Sequence, residues 1–212
     1  MASEARMTVR GRLLLVMAGG VLLVAGQAAG AQAAAANPAI DAGVQAKANA
    51  GDAAAQVEVG ESYAKAAGTD EEHAQIAEDW TQAAAWYKKA ADQGDVSGEL
   101  HLAVLYRDGG GEDFTRDMEQ SAEWYEKAAE QGDVGAQGTL GMLYAMGLGV
   151  QQSDTDAYFW LDLAAGASGP KQQQYAMNRQ NVGARITADE QAAVELRVKH
   201  WKAAHPRADA DK

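Results

Sequence analysis

The stretch WYKKAADQGDV, residues 86–96, returns 38 residues later as WYEKAAEQGDV, residues 124–134. Self-similarity at such a period is typical of stacked-repeat proteins, because one short helical hairpin cannot bury its own apolar face. Neighbouring copies must cover that face for each other. The repeated stretch therefore predicts a stack of helical hairpins and decides the fold class.

The composition agrees with an all-α protein. Of the 212 residues 47% are hydrophobic but only 7% are aromatic, so much of the apolar content is alanine, the best helix former. The net charge of −12 makes the chain repel phosphate backbones, and we expect no nucleic-acid partner. The chain has no cysteine, which excludes thiol chemistry and a lipid-modified amino-terminal cysteine.

The amino terminus has the pattern of a bacterial signal peptide. Basic residues precede an apolar run over residues 13–25, and Ala29-Gly30-Ala31 fits the pattern of a cleavage site. We predict a signal peptide over residues 1–31 and a linker over 32–38, hence a periplasmic or secreted protein without an integral membrane span after processing. A retained membrane anchor is the alternative.

A Gly-Asp pair marks the register of the repeats at positions 51, 94 and 132. A tyrosine follows each of these glycines after twelve residues, at Tyr63, Tyr106 and Tyr144, and a further glycine comes five residues later. We predict four units over 39–68, 78–111, 116–150 and 155–183, each made of a helix A, a glycine turn and a helix B. A capping helix over 187–204 and a tail over 205–212 complete the chain.

Local signals place the helix ends. Gly94 and Gly132 fall where a helix ends and a positive φ is needed, and Asp95 and Asp133 can cap the next helix. The segment Thr187-Ala188-Asp189-Glu190 is a capping box for the last helix. The residues that we expect to be structural in the repeats are Trp86, Ala90, Gly94, Tyr106, Trp124, Ala128, Gly132, Leu140, Tyr144, Gly149 and Trp160.

Two further features give expectations about packing. We expect Ala192, Leu196 and Trp201 to form the inner face of the last helix. The acidic segment over residues 69–79 lengthens one repeat. It is interpreted either as a functional loop on one face of the stack or as a longer helix A.

The pattern W-Y-x-K-A-A-x-Q-G-D, followed by L-x-x-x-Y and G-x-G-V, resembles the Sel1-like repeat (SLR) family, a relative of the tetratricopeptide repeats. The match is best over 83–111 and 121–150, and Glu112 departs from it. The resemblance implies a right-handed α/α solenoid of about four helical hairpins with a carboxy-terminal capping helix. It also implies an adaptor surface for protein complexes.

In tetratricopeptide arrays helix A lines the concave wall, so exposed positions beside the tryptophan face are the candidate binding residues. These are Tyr87, Lys88, Asp92, Glu126, Glu130 and Asp162. The acidic members favour a basic protein or peptide as the partner.

Signals for chemistry are weak. Four histidines show no metal-ligand spacing, and we expect neither a metal nor a cofactor. Ser62 and Ser168 begin S-x-x-K motifs of the kind used by penicillin-recognising enzymes, but S-D-N and K-T-G are missing. An envelope hydrolase of that or another type is the alternative function. A structural component of a secretion or polysaccharide-export assembly is another.

Overall fold

The computed structural model describes residues 40–68, 73–110 and 115–206. The predicted signal peptide and linker, residues 69–72, the exit loop at 111–114 and the end of the tail from 207 lie outside these ranges. Within them the chain forms helices and no strand, as predicted. The helices are α1 (Ala42–Asn49), α2 (Ala53–Ala67), α3 (His73–Ala91), α4 (Val96–Asp108), α5 (Met118–Glu130), α6 (Val134–Met146), α7 (Asp154–Gly166), α8 (Gln172–Gly183) and α9 (Ala188–Ala204).

The helices form an α/α stack. Each helix from α1 to α7 packs against the next one in sequence, most extensively in the pairs α2–α3 and α6–α7. The last helix breaks this order, because α9 packs against α7. It thus caps the end of the stack on the side of the A helices.

Aspartate caps start the helices at the repeat turns. The side chains of Asp52, Asp95 and Asp133 accept from backbone amides three residues ahead at 2.8, 2.9 and 2.7 Å. Each cap follows a glycine in the left-handed region, with φ of 80° at Gly94 and 93° at Gly132. The predicted turn chemistry is confirmed, since an N-cap bond satisfies an amide that the helix leaves unpaired.

The predicted repeat residues form the core. The three tryptophans are only 5–6% exposed, the alanines at 90 and 128 and Leu140 are fully buried, and Tyr106 and Tyr144 are half-buried. Gly149 lies at the exit of α6 with φ of 72°. A Cβ there would lie 1.8 Å from the carbonyl oxygen of Met118, so only glycine lets this loop pack onto the start of α5.

The acidic segment over 69–79 belongs in large part to helix A of its repeat. Helix α3 begins at His73 and is 19 residues long, whereas α5 and α7 have 13 residues each. Of the two interpretations, the longer helix therefore describes residues 73–79. Residues 69–72 lie outside the described ranges.

The predicted inner face of the last helix is wrong in part. Ala192 is exposed and Leu196 is 54% exposed, while Val194 and Val198 are buried. Trp201 packs against the core as expected. The helix is thus rotated from the predicted orientation, and the guanidinium of Arg197 lies 3.9 Å from the ring centroid of Phe159 on α7.

Candidate binding surface on the A helices

Five of the six candidate residues occupy two repeated positions on the A helices. Lys88 on α3, Glu126 on α5 and Asp162 on α7 each follow a repeat tryptophan by two residues. Asp92 and Glu130 lie one helical turn beyond the first two. We call these five residues the helix-A row.

The sixth candidate, Tyr87, was predicted to be exposed, and this prediction is wrong. Its side chain is 3% exposed, and its ring stacks on His101 of α4 with 4.6 Å between the centroids. On its other side it approaches Gly60 of α2 so closely that a Cβ there would lie 2.6 Å from the ring. Helix α3 is covered by a B helix on both sides, so the position after the tryptophan is buried as well.

In the α3 part of the helix-A row the charges of Lys88 and Asp92 cancel each other. The ammonium group of Lys88 donates to the carboxylate of Asp92 at 2.7 Å, and both side chains are about half exposed. Lys88 also lies 5.7 Å from the ring centroid of Trp124, so its side chain reaches α5. This exposed pair offers a partner little net charge.

The α5 part of the row is acidic and uncompensated. Burial raises the pKa of the half-buried Glu126 carboxyl, and the nearby carboxylates of Glu130, Asp156 and Glu123 raise it further. The pKa of Tyr144 is also raised, by burial and then by Glu126 and Asp156. These shifts show that several anions repel one another around one half-buried carboxyl.

Asp156 connects this acidic group to the capping helix. Its carboxylate accepts from Ser153 Oγ at 2.7 Å and from Arg197 Nη1 at 2.6 Å. Burial alone would raise the pKa of Asp156, but the hydrogen bonds from Arg197 and Ser153 outweigh burial and lower it. The sequence analysis missed both Asp156 and Arg197, because they lie 41 residues apart and only the docking of α9 brings them together.

At α7 the row is compensated again, since Arg179 of α8 pairs with Asp162. The acidic group therefore consists of Glu123, Glu126, Glu130 and Asp156, and we call it the acidic cluster. Its neighbours in the row on either side are ion pairs.

A concavity of about 400 Å³ between α2, α3 and α4 also escaped prediction. The stacked rings of Tyr87 and His101 line it together with Trp80, and Glu61 approaches His101 Nε2 at 3.1 Å. Trp80 lies six residues before Trp86, at the position where α5 and α7 begin.

The S-x-x-K serines have ordinary surroundings. The hydroxyl of Ser62 donates to the carbonyl of Glu58 one turn earlier in α2 at 3.0 Å, as helical serines commonly do. Ser168 lies exposed in the turn before α8. In the part of the chain that the structure describes, no group of three or more His, Asp or Glu side chains is arranged to hold a metal ion. None of the described helices is long and apolar enough to span a bilayer.

The stacked helices with repeated Trp, Ala and Gly-Asp positions define an α/α repeat solenoid. The sequence profile of the Sel1 repeat family matches residues 53–95, 96–133 and 136–168, more than half of the chain, and the protein belongs to this family. Its members usually serve as scaffolds for protein–protein interactions. The matched units begin at a B helix, one helix later than the units that we predicted.

Solved structures share the fold. The protective antigen c5321 of uropathogenic Escherichia coli strains, which displays an SLR fold, has a TM-score of 0.54 and 24% identity over 79% of this chain. The present chain covers 42% of that antigen. A Sel1 repeat protein from Oxalobacter formigenes has a TM-score of 0.53 and 27% identity, over 66% of this chain and 96% of the other. None of the curated proteins matches the chain.

Proposed function

We propose that this protein is an exported scaffold of the bacterial envelope that binds a basic segment of another protein along its helix-A row. The acidic cluster is the contact that selects the partner. Family membership supports the scaffold role, and the pattern of residues 1–31 supports export.

The observation that carries the proposal is the placement of Glu126 among three other carboxylates. Its carboxyl is half-buried, and like charges at Glu130, Asp156 and Glu123 raise its pKa. A lysine or arginine from a partner would pair with this carboxyl and offset that repulsion. Such an ion pair is stronger in a half-buried site than in open water. The tyrosine ring at 144 lies beside the cluster and supplies amphipathic contact area.

The ion pairs in the row would orient the bound segment. Lys88 with Asp92 on one side and Asp162 with Arg179 on the other are nearly neutral. A basic stretch of the partner would thus be drawn to α5 rather than to its neighbours. Complementary charge of this kind mainly raises the association rate and the specificity.

Peptide binding tests the proposal with a charge-matched control. Fluorescent peptides rich in lysine and arginine, and the same peptides with glutamate in their place, are titrated into the wild type, Glu126→Lys and Glu58→Lys. We expect a preference for basic peptides that weakens about tenfold in Glu126→Lys, a change of about 1.4 kcal/mol. Glu58 is exposed on α2, outside the row, so Glu58→Lys should keep the affinity.

Equal losses of affinity in the two variants, or no preference for basic peptides, would contradict the proposal that the acidic cluster selects the partner.

The proposed location needs its own experiment, because binding in solution does not report it. The mass of the protein purified from the envelope fraction should show that residues 1–31 are removed. Chemical cross-linking in that fraction, followed by mass spectrometry, would identify the partner and show whether the protein joins a secretion or polysaccharide-export assembly.

The hydrolase alternative has a direct test as well. Incubation with a labelled β-lactam should leave the protein unlabelled. Covalent labelling that disappears in Ser62→Ala would overturn the scaffold proposal in favour of a penicillin-recognising enzyme.

A further inference from the structure

Three buried polar side chains repeat with the units. Gln56, Glu99 and Gln137 each follow a capping aspartate by four residues, and they are 5%, 3% and 3% exposed. Each lies in the first turns of a B helix, where that helix packs on the A helix before it. The middle copy is the only carboxyl of the three.

The two glutamines donate to the preceding helix. Gln56 Nε2 donates to the carbonyl oxygen of Ala48 at 3.1 Å, and Gln137 Nε2 donates to that of Ala129 at 3.2 Å. In both cases the acceptor lies eight residues earlier, at the end of the A helix. By the same spacing of eight residues, the carbonyl that corresponds to Glu99 is that of Ala91.

The start of α4 does lie directly on the end of α3. A Cβ on Gly98 would come within 2.8 Å of the backbone nitrogen of Ala91. The carbonyl of Ala91 accepts from the amide of Gly94 at 2.9 Å, as the carbonyl of Ala129 accepts from Gly132 at 3.0 Å. We call the contact between an A helix and the following B helix a seam. The seam between α3 and α4 therefore has the same backbone arrangement as the seam between α5 and α6.

The side-chain oxygens of this position accept from a glutamine. Gln93 Nε2 donates to Gln56 Oε1 at 2.8 Å, and Gln131 Nε2, one repeat further on, donates to Glu99 Oε2 at 2.8 Å. One oxygen of Glu99 thus replaces the amide oxygen of Gln56. In the repeat register its other oxygen corresponds to the amide nitrogen of Gln56 and Gln137, and only a protonated carboxyl has a hydrogen to donate from that position.

We propose that Glu99 is protonated in the folded protein and donates a hydrogen bond from Oε1 to the carbonyl of Ala91. Loss of this proton leaves two acceptors facing each other and weakens the seam between α3 and α4. The carboxyl is thus a pH-sensitive element within the stack, and the solenoid loses stability as the pH rises.

The surroundings of Glu99 agree with this assignment. Burial raises its pKa, the hydrogen bond from Gln131 and the charge of Lys127 lower it, and Asp95 and Glu130 raise it. Lys127 and Glu130 belong to α5, Gln131 is the residue that ends it, and Asp95 caps α4. With a raised pKa the folded state holds the proton more tightly than the unfolded chain. The stabilisation is complete below a pH of about 4.3 and is lost as the pH rises through the folded-state value.

The variant Glu99→Gln tests the proposal, because it restores the side chain of the other two seams. Melting temperatures of the wild type and the variant are compared between pH 4 and pH 8.5. We expect no difference at the acidic end and an increasing advantage of the variant, roughly 2–4 °C, at the alkaline end. A difference that stays constant over this range would overturn the proposal.

The reciprocal variant Gln137→Glu places the same carboxyl in the third seam. We expect its melting temperature to fall more steeply with pH than that of the wild type, and amide exchange to accelerate at Ala129 and at the start of α6. A variant that folds only at acidic pH would agree with the proposal. A pH profile identical to that of the wild type would contradict it, because the two seams have the same geometry.

Discussion

The second and third repeats, α3–α4 and α5–α6, share their packing and differ in their charges. Trp86 and Trp124 are buried to the same extent. A lysine ammonium lies over each ring: Lys89 Nζ is 3.4 Å from the ring centroid of Trp86, and Lys127 Nζ is 3.5 Å from that of Trp124. At the position two residues after the tryptophan, the lysine of one repeat, Lys88, is a glutamate in the other, Glu126. Positions that must pack stay the same between repeats, whereas those facing solvent are free to specify a partner.

The largest expected effect tests the shared part of this comparison. Trp86→Ala and Trp124→Ala should each lower the free energy of unfolding by about 3–5 kcal/mol, because both remove a buried indole ring and leave a cavity. Urea titration followed by circular dichroism measures the loss. The exposed Glu123→Ala is the control and should change stability by about 0.5 kcal/mol at most. A loss confined to one tryptophan would show that the two repeats are packed differently.

A smaller effect is expected where α7, the A helix of the fourth repeat, meets the capping helix. Arg197→Ala removes the ion pair with Asp156 and the contact with Phe159, and should cost about 1 kcal/mol. The control Arg185→Ala breaks a pair with Asp154 at 3.1 Å and should cost less, since that arginine is not paired with a ring.

The pH dependence of this pair follows from the lowered pKa of Asp156. Its contribution is present above a pH of about 4 and is lost as the pH falls through the folded-state value. The difference in stability between the wild type and Arg197→Ala should therefore shrink in strong acid to the contribution of the contact with Phe159. Equal differences at pH 7 and pH 3 would mean that packing of the arginine, and not its charge, holds α9.

The smallest effects concern the position where the two repeats differ, and they have opposite signs. Lys88→Gln should destabilise the protein by about 0.3–0.5 kcal/mol, because it breaks an exposed pair one helical turn apart. Glu126→Gln should stabilise it by a few tenths of a kcal/mol at pH 7, because it removes repulsion within the acidic cluster.

Because the pKa of Glu126 is raised, the gain from Glu126→Gln should disappear below a pH of about 4.3, where the wild-type carboxyl is protonated in both states. Thermal unfolding at pH 7 and pH 4 measures both variants. The same sign for the two substitutions at pH 7 would contradict the electrostatic contrast between the repeats.

Much of the fold could be predicted because its signals are local or repeated. The Gly-Asp turns and the capping box at Thr187 depend on a few neighbouring residues, and Thr187 Oγ1 does accept from the amide of Glu190. The tryptophan positions were found from their period alone. Tyr87 was misjudged although its repetition as Tyr125 carried the same signal, since Tyr125 is 4% exposed.

The candidate site was less predictable. The sequence pointed to Glu126 and Glu130 as neighbours on one helix, but it gave no reason to join them to Asp156. Charges on different helices become neighbours only when the helices pack. The same holds for Glu99, because only the packed stack brings Gln131 of the next repeat within hydrogen-bonding distance of its carboxyl.

The sequence by itself determined the helices, their caps and the repeat that stacks them. The helices and caps depend on neighbouring residues, and the repeat is visible when one copy is compared with the next. Only the tertiary structure decided how α9 is rotated, which carboxyls surround Glu126, and that Gln131 donates to Glu99. Those outcomes depend on distances between residues far apart in the chain, and it is packing that sets such distances and the burial that shifts each pKa.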